Sequence, residues 1–346
     1  MKPIRVVQWG LGAMGSGMCK LMLEKEGLKI VGAIRKRPDT AGKDLGEVLG
    51  LNKTLGVKIT NKPADVLKKD NVDLVLHATD SFTRSCFDEL KKIIEAGIDV
   101  ISIAEEMAYP HAQEPDLAKE IDMLAKRHDV TVLGTGVNPG FVLDALVIML
   151  SGACLRVDRI EASRINDLSP FGATVMKTQG VGTTPEEFEA GLKSGTIVGH
   201  IGFPESISMI SDALGLGVDR IEQQRRPIIS KTHRETPVVK VSPGMVAGCE
   251  HIGIGYRGQT EVIKLIHPQQ IHPGKEDILT GDYINIFGDP DIHMSNKPEI
   301  PGGKGTMAVA VNMIPIVKKA GPGLKRMIDL PIPACLMGKT AYDRWI

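Results

Sequence analysis

The chain has 346 residues, 42% of them hydrophobic, and its 42 Lys and Arg residues balance 42 Asp and Glu residues. This length allows two domains with separate cores, and a formal net charge of zero gives no general attraction for nucleic acid or for an anionic membrane, so a small-molecule partner is expected. The five cysteines are scattered, which disfavours a disulfide framework and a zinc site, and no metal is expected. No signal-peptide pattern and no apolar run of the roughly 20 residues that span a bilayer occur, so we expect a cytoplasmic protein.

Short apolar runs alternate with amphipathic stretches over residues 1–150, which predicts parallel strands joined by helices. The predicted strands are Ile4–Trp9, Lys29–Ile34, Val57–Thr60, Leu74–Ala78, Val100–Ile103 and Val130–Leu133. A helix is predicted over residues 81–97, where apolar residues recur at helical spacing and Gly97 can end it, and a shorter helix is predicted from Pro63. The predicted fold class is therefore α/β, with a Rossmann-type doubly wound parallel sheet in the amino-terminal half.

The segment between the first strand and the first helix has the spacing G-x-G-x-x-G. In this context Gly10 allows a tight turn, Gly12 lets a pyrophosphate approach the backbone amides, and Gly15 lets the helix lie close to its strand. A dinucleotide site is therefore predicted, with a bare structural turn as the alternative. The residues expected to contact the cofactor are Gly10, Leu11, Gly12, Ala13, Met14 and Gly15.

The segment after the second strand, GAIRKRPD, is basic where NAD-binding units usually carry an acidic residue. Arg35, Lys36 and Arg37 favour binding of the 2'-phosphate of NADP, while use of NAD is not excluded. A solvated basic loop is the alternative.

Three later strand ends carry polar residues, and ligands of open parallel sheets lie beyond such ends. Thr79 and Asp80 follow the fourth strand and are predicted either to contact the cofactor or to cap the next helix. Glu105 and Glu106 follow the fifth strand, where a carboxylate with a raised pKa can transfer protons, although surface glutamates are the alternative.

The sixth strand runs into GTGVNPGF. Asn138 can hydrogen-bond a carboxamide, and Pro139 can begin the helix that follows. A plain turn with a helix cap is the alternative.

Residues 151–304 are richer in Gly and Pro, and their apolar runs RIEASRIN, TPVVKVSP, TEVIKLIHP and DYINIFG are extended. They predict a second α+β domain with a mostly antiparallel sheet and a helical insertion around Pro185–Leu216. The sequence 305–321 again has helical spacing and is expected to return, with the tail to residue 346, to the first domain. The predicted domains are thus a dinucleotide-binding domain of residues 1–150 completed by 305–346, and a substrate-binding and dimerisation domain of residues 151–304.

The glycine loop followed in order by ATDSF, SIAEEMAYP, TGVNPGF, GHIGFPES and GKGTMAVAVNMIP resembles the 2,4-diaminopentanoate dehydrogenases, and the likeness covers nearly the whole chain. These enzymes belong with the native amine dehydrogenases, whose two-domain architecture is similar to that of dihydrodipicolinate reductase. The resemblance implies oxidative deamination of the 4-amino group of 2,4-diaminopentanoate to 2-amino-4-oxopentanoate, with NAD or NADP as acceptor, in ornithine breakdown.

The resemblance also implies roles for individual residues. It places the proton-handling carboxylate in the AEE segment, at Glu105, and the cofactor on the glycine loop, the basic cluster and the Asn138 loop. From the second domain it offers four substrate-side candidates, each of which has a structural alternative: Arg164, Asp167, His200 and Glu205. Arg164 is the cation expected to hold the substrate's carboxylate.

Two rival functions remain open at the level of sequence. One is a related NAD(P)-dependent amine dehydrogenase or imine reductase that acts on another small amine, and the other is a non-catalytic NADPH-binding regulator. Dihydrodipicolinate reductase activity is set aside, because RINDLSPFGATVMKTQG lacks the paired histidines of that enzyme. A homodimer is expected through the open face of the second sheet.

Overall fold

The structure, a computed structural model, describes residues 2–343, and the chain divides into two compact units. Unit 1 comprises Met1–Phe141 and Gly303–Ile346, and unit 2 comprises Val142–Gly302. The boundaries predicted from the sequence lie at 150/151 and 304/305, so residues 142–150 fall in unit 2 rather than in the first domain. Residues 1 and 344–346 of the predicted first domain lie outside the described residues.

The strands, in chain order, are β1 Ile4–Trp9, β2 Leu28–Ile34, β3 Ile59–Thr60, β4 Leu74–His77, β5 Asp99–Ser102, β6 Thr131–Gly134, β7 Arg156–Asp167, β8 Arg220–Ile229, β9 Arg234–Glu235, β10 Lys240–Val241, β11 Val246–Arg257, β12 Thr260–Gln270, β13 Gly281–Asp289, β14 Ile292–Asn296 and β15 Gly323–Lys325. The α-helices are α1 Ala13–Leu23, α2 Leu45–Val48, α3 Thr83–Glu95, α4 Pro115–Arg127, α5 Ala145–Ser151, α6 Ala173–Thr178, α7 Pro185–Ser194, α8 Phe203–Leu214, α9 Gly302–Lys319 and α10 Lys339–Asp343. Within the described part of the chain, no helix combines the length and apolar character needed to cross a membrane.

Unit 1 contains a parallel sheet, which among the described residues has the strand order β15-β6-β5-β4-β1-β2-β3. Its central strands are mostly apolar, and nearly all of their side chains are buried on both faces, as expected for a parallel sheet covered by helices. β1 lies in the middle of the sheet, with β2 beside it on one side and β4 on the other. This arrangement opens a crevice at the carboxyl end of β1, where such sheets bind ligands.

The helix predicted over residues 81–97 is confirmed as α3, whose apolar side chains are fully buried in the core of unit 1: Cys86, Leu90, Ile93 and Ile94. The prediction of a helix from Pro63 is wrong, because only the short 3-10 turn Pro63–Asp65 forms. The apolar side chains of PADVLKKD that follow this turn are Val66 and Leu67, too few to give a helix a buried face.

Unit 2 contains a mixed sheet with the strand order β14-β13-β7-β12-β11-β8 among the described residues. The contact between β7 and β12 is parallel and the others are antiparallel, so the predicted mostly antiparallel sheet is confirmed. Helix α8, in the predicted helical insertion, packs on one face of this sheet. The packing is close, because a Cβ added at Gly253 of β11 would lie 2.8 Å from the ring of Phe203 in α8. The segment TPVVKVSP does not join this sheet, since only Lys240–Val241 is extended and pairs with β9.

Candidate cofactor and catalytic site

The turn between β1 and α1 needs glycine at two positions. Gly10 has φ +95°, and a Cβ there would lie 2.1 Å from the carbonyl oxygen of Ala78. A Cβ at Gly15 would lie 1.9 Å from the carbonyl oxygen of Gly10. The loop and the first turn of α1 are therefore packed against the ends of β1 and β4 too closely for any side chain.

The amino terminus of α1 suits a phosphate group. Gly12 occupies the N-cap position, and nothing lies within 4 Å of the place where its Cβ would be. The first turn carries no acidic side chain, so the amides of Ala13 and Met14 and the positive end of the helix dipole can serve an anion. Leu11, by contrast, has a buried side chain and offers only its backbone.

The basic segment after β2 divides into two kinds of cation. Lys36 Nζ lies 2.6 Å from Glu89 Oε1 of α3, so a carboxylate already neutralises this charge. Arg35 Nη1 donates weakly to Thr40 Oγ1 at 3.4 Å, and neither Arg35 nor Arg37 forms an ion pair within the residues described. The two arginines are therefore the cations available for a 2'-phosphate.

Thr79 and Asp80 are engaged in local structure. Thr79 Oγ1 donates to Glu89 Oε2 at 2.6 Å, while its methyl group lies beside the space that a Cβ of Gly10 would fill. Asp80 Oδ1 accepts from the amides of Ser81 and Phe82, just before α3 begins. The capping alternative therefore describes Asp80, and Thr79 can line the glycine loop only through its methyl group.

The two glutamates after β5 have different surroundings. They lie in a 3-10 turn, Glu105–Ala108, which follows the end of β5. Glu106 is buried, and its Oε2 accepts from the amide of Thr83 at 2.8 Å, which satisfies the first turn of α3. Glu105 is half-buried, and burial raises the pKa of both carboxyl groups, although hydrogen bonds oppose the shift, with Ser81 at Glu105 and with Thr83 at Glu106. The backbone amide bound by Glu106, rather than the pKa, separates the two. Of the pair, Glu105 has the properties of a proton acceptor and Glu106 those of a helix cap.

The turn that carries these glutamates depends on the end of the neighbouring strand β6. A Cβ added at Gly134 would lie 1.8 Å from the carbonyl oxygen of Met107. Only a glycine at this position leaves room for the turn.

The loop after β6 differs from its prediction at one point. Pro139 does not begin a helix, because α5 begins at Ala145, where Asp144 Oδ1 accepts from the Ala145 amide at 2.6 Å. The amide of Val137 donates to Thr306 Oγ1 of α9 at 3.1 Å, which fixes the loop beside Asn138. The role of Asn138 towards a carboxamide stays a prediction.

Arg164 in unit 2 is committed to a buried ion pair. Its Nη1 lies 2.8 Å from Asp282 Oδ1, its Nη2 donates to the carbonyl of Ile300, and 1% of the residue is exposed. The expected free cation for a substrate carboxylate is therefore not found at this position. Asp167 is likewise used locally, because its Oδ1 accepts from the amides of Ser169 and His272.

His200 belongs to a group of three histidines in unit 2. Its amide donates to His251 Nδ1 at 3.0 Å, and its ring centroid lies 4.7 Å from that of His267. Burial, followed by the charges of Arg164 and Arg225, lowers the pKa of His200 to about 3, so its ring is neutral at pH 7 and does not act as a general acid. Glu205, the remaining substrate-side candidate, is fully buried in the first turn of α8.

Arg225 is a cation that the sequence reasoning missed. In the strand register it pairs with His251, which pairs in turn with His267. Its Nε donates to the carbonyl of Val198 at 2.7 Å, and within residues 2–343 it forms no ion pair with a carboxylate. Burial lowers the pKa of this guanidinium. Arg225 is brought to the histidines by the register between β8, β11 and β12. This register cannot be deduced from the spacing of the residues along the chain.

Comparisons with known proteins agree with this architecture. Residues 141–344 match the family described as the 2,4-diaminopentanoate dehydrogenase C-terminal domain, and residues 4–103 match the dihydrodipicolinate reductase N-terminus. The chain is 48% identical to the 2,4-diaminopentanoate dehydrogenase of Acetoanaerobium sticklandii, over 98% of this chain and 96% of the relative. It is 25% identical to an amine dehydrogenase of Streptomyces virginiae, over 95% of this chain and 96% of that relative. The solved structure of an amine dehydrogenase from Mycobacterium smegmatis superimposes with a TM-score of 0.85 at 28% identity, covering 96% of this chain and 98% of that one.

Proposed function

Because the chain belongs to the 2,4-diaminopentanoate dehydrogenase family and is an NAD(P)-dependent amine dehydrogenase, we propose that it oxidises the 4-amino group of 2,4-diaminopentanoate. The products are 2-amino-4-oxopentanoate, ammonia and the reduced cofactor, and the reaction is reversible. The name of the relative that is 48% identical supports this substrate. We propose further that the enzyme acts in the cytoplasm as a step of ornithine breakdown.

The observation that carries the proposal is the half-buried carboxylate of Glu105 at the carboxyl end of β5. This end belongs to the sheet edge that also carries the glycine loop. A carboxylate with a raised pKa accepts a proton from a substrate ammonium near neutral pH, which leaves the neutral amine that loses hydride. After releasing that proton to solvent, the same carboxylate takes a proton from the water that adds to the iminium carbon and passes it to the nitrogen of the resulting carbinolamine. Ammonia then departs as the carbonyl forms and the hydroxyl proton is lost to solvent.

The cofactor, when bound, supplies the hydride acceptor. For this role the chain offers the amides at the start of α1 to the pyrophosphate, the free guanidinium groups of Arg35 and Arg37 to a 2'-phosphate, and the Asn138 loop to the carboxamide. The absence of an acid at the end of β2 favours NADP, and NAD remains acceptable because the phosphate contacts are additional to the pyrophosphate site.

For the substrate's carboxylate we propose Arg225 in place of Arg164. A half-buried guanidinium without a carboxylate partner among the described residues is better able to bind an anion than one that is already paired. The neutral rings of His200 and His251 beside it add hydrogen-bonding capacity without adding charge.

We also propose that the protein forms a homodimer through the open face of the sheet in unit 2. That face carries two partly exposed apolar side chains, Tyr283 and Ile266, whose register partners include Ser163 and the buried Ile252. Light scattering on the purified protein measures the mass directly, and a monomer at all concentrations would remove this proposal.

The proposed function is tested by measuring turnover of a panel of amines at alkaline pH. The absorbance of the reduced nicotinamide monitors the reaction. We expect 2,4-diaminopentanoate to be oxidised faster than monoamines without a carboxylate. Faster turnover of a monoamine would assign the enzyme another substrate, and tight cofactor binding without turnover of any amine would favour a regulator.

A further inference from the structure

A chain of polar contacts joins the basic segment after β2 to the turn that carries Glu105, and beyond the exposed Lys36 its members are buried. Beyond the ion pair of Lys36 with Glu89, Glu89 Oε2 lies 2.8 Å from His77 Nε2. His77 Nδ1 lies 3.0 Å from Ser102 Oγ, and Ser102 Oγ accepts from the amide of Ala104 at 3.2 Å. The contacts thus pass from α3 through the ends of β4 and β5 to the residue immediately before Glu105.

The directions of these hydrogen bonds follow from the charge on Glu89. Burial, its largest influence, would raise the pKa, but hydrogen bonds from His77, Lys36 and Thr79 together lower the pKa of Glu89 to about 2. An ionised carboxylate only accepts, so His77 carries a proton on Nε2, and in the neutral ring this tautomer leaves Nδ1 as an acceptor. Ser102 therefore donates its hydroxyl proton to Nδ1, and a lone pair of Ser102 Oγ is left to accept the Ala104 amide.

Glu89, His77 and Ser102 have the composition of a nucleophilic triad, but they cannot act as one. Their exposed fractions are 4%, 0% and 0%, so no substrate reaches Ser102 Oγ. Polar side chains that are buried to this extent are retained when each one is satisfied and the network fixes a unique arrangement. The last contact of this network is with backbone, at Ala104, the N-cap of the turn Glu105–Ala108.

We propose that Glu89, His77 and Ser102 form a positioning relay that holds the Ala104 amide and thereby fixes the backbone from which Glu105 reaches its substrate. The proposal rests on the proposed role of Glu105 as proton acceptor. Glu89 fixes the tautomer of His77, His77 fixes the hydroxyl of Ser102, and Ser102 fixes the turn. The outer end of the relay is Lys36, so the segment that recognises the nucleotide and the turn that carries the base share one set of hydrogen bonds.

The test is a double-mutant cycle between Ser102→Ala and Glu105→Gln. Ser102→Ala removes the hydroxyl with little change in volume, and we expect kcat to fall about tenfold, the order of loss that follows from a small displacement of a reacting group. The cofactor dissociation constant should not change, since the glycine loop is untouched. In the Glu105→Gln background, Ser102→Ala should cause no further loss, because the relay acts only through Glu105.

Thr131→Val is the matched control. Thr131 is a buried hydroxyl at the amino end of the neighbouring strand β6, where it donates to the carbonyls of Ala320 and Gly321. Its loss should lower the melting temperature and leave kcat unchanged, which separates positioning from general stability.

The outcomes separate the relay from the function on which it rests. If Glu105→Gln keeps full turnover, the proposed base is wrong. If Glu105→Gln is inactive while Ser102→Ala keeps wild-type kcat, the relay is wrong and the base stands. If the losses from Ser102→Ala and Glu105→Gln multiply in the double variant, Ser102 does not act through Glu105, and the relay is again overturned.

Discussion

The strand ends of unit 1 and the sheet of unit 2 arrange their polar residues in two different ways. In unit 1 each candidate residue directly follows a strand, and parallel strands bring these ends to one edge of the sheet. In unit 2 the polar groups meet across strands: Arg164 with Asp282, and Arg225 with His251 and His267. A site built from strand ends is visible in the order of the sequence, whereas a site built from cross-strand register appears only when the pairing is known.

The largest effect should come from breaking the buried pair of unit 2. Arg164→Met leaves the carboxylate of Asp282 buried without its cation, which should lower the free energy of unfolding by about 3–5 kcal/mol. Urea denaturation measures this loss. The double variant Arg164→Met with Asp282→Leu should regain part of it, and a stable Arg164→Met single variant with a raised KM would return Arg164 to the substrate site.

The next effect tests the strand end of unit 1. Glu105→Gln keeps the size of the side chain and removes the proton acceptor, so kcat should fall by about a hundredfold or more. Glu106→Gln should instead lower the melting temperature, because it weakens the acceptor for the Thr83 amide. Near-normal turnover of Glu105→Gln together with an inactive Glu106→Gln would move the base by one residue.

The pH dependence sharpens the same assignment. Because burial raises the pKa of Glu105, its basic form is lost as the pH falls through that raised value, and kcat/KM should decline there rather than at the ordinary pKa of a glutamate. The raised pKa also means that the ionised carboxylate costs stability above it, so Glu105→Gln should not lower the melting temperature at neutral pH. An unchanged acidic limb in Glu105→Gln would contradict the assignment.

The basic segment offers a test of nucleotide choice. Arg35→Asp removes a cation and adds a repulsion to a 2'-phosphate, which should weaken NADP by about 2–3 kcal/mol and leave NAD nearly unaffected. Dissociation constants of both cofactors, measured on the same preparation, give the comparison. Equal weakening of the two would argue against a phosphate site at Arg35.

The smallest effect concerns Arg225. Arg225→Met should raise the KM for 2,4-diaminopentanoate about tenfold, the loss of one charge-assisted contact, without changing cofactor affinity. Arg226→Met is the matched control, since Arg226 is the adjacent residue of β8 and is exposed. A KM that is the same in Arg225→Met and in the wild type would remove Arg225 from substrate recognition.

The first six strands of unit 1 follow from the sequence because each is a short apolar run bounded by turn residues, and they agree with the observed strands to within two residues. The edge strand β15 was not predicted, because it has only three residues. The glycine loop could be predicted equally well, since its spacing and its position between strand and helix are local properties of the sequence. The different surroundings of Glu105 and Glu106 could not be predicted from the sequence, because the turn that carries them depends on the glycine at the end of β6. Likewise the sequence alone suggests that Arg164 is a free cation, because only the strand register shows that Asp282 lies beside it.

Gly134 illustrates a general difficulty in interpreting mutational tolerance. Its missing side chain makes room for the carbonyl of Met107, and through that turn it supports Glu105, although Gly134 has no group that could touch a reactant. In a saturation screen scored by turnover, this position should be as intolerant as the base itself. A directed-evolution library aimed at new amine substrates would therefore lose few useful variants by leaving codon 134 unchanged, and a screen that also reads protein abundance would distinguish a position that shapes the catalytic turn from one that performs the chemistry.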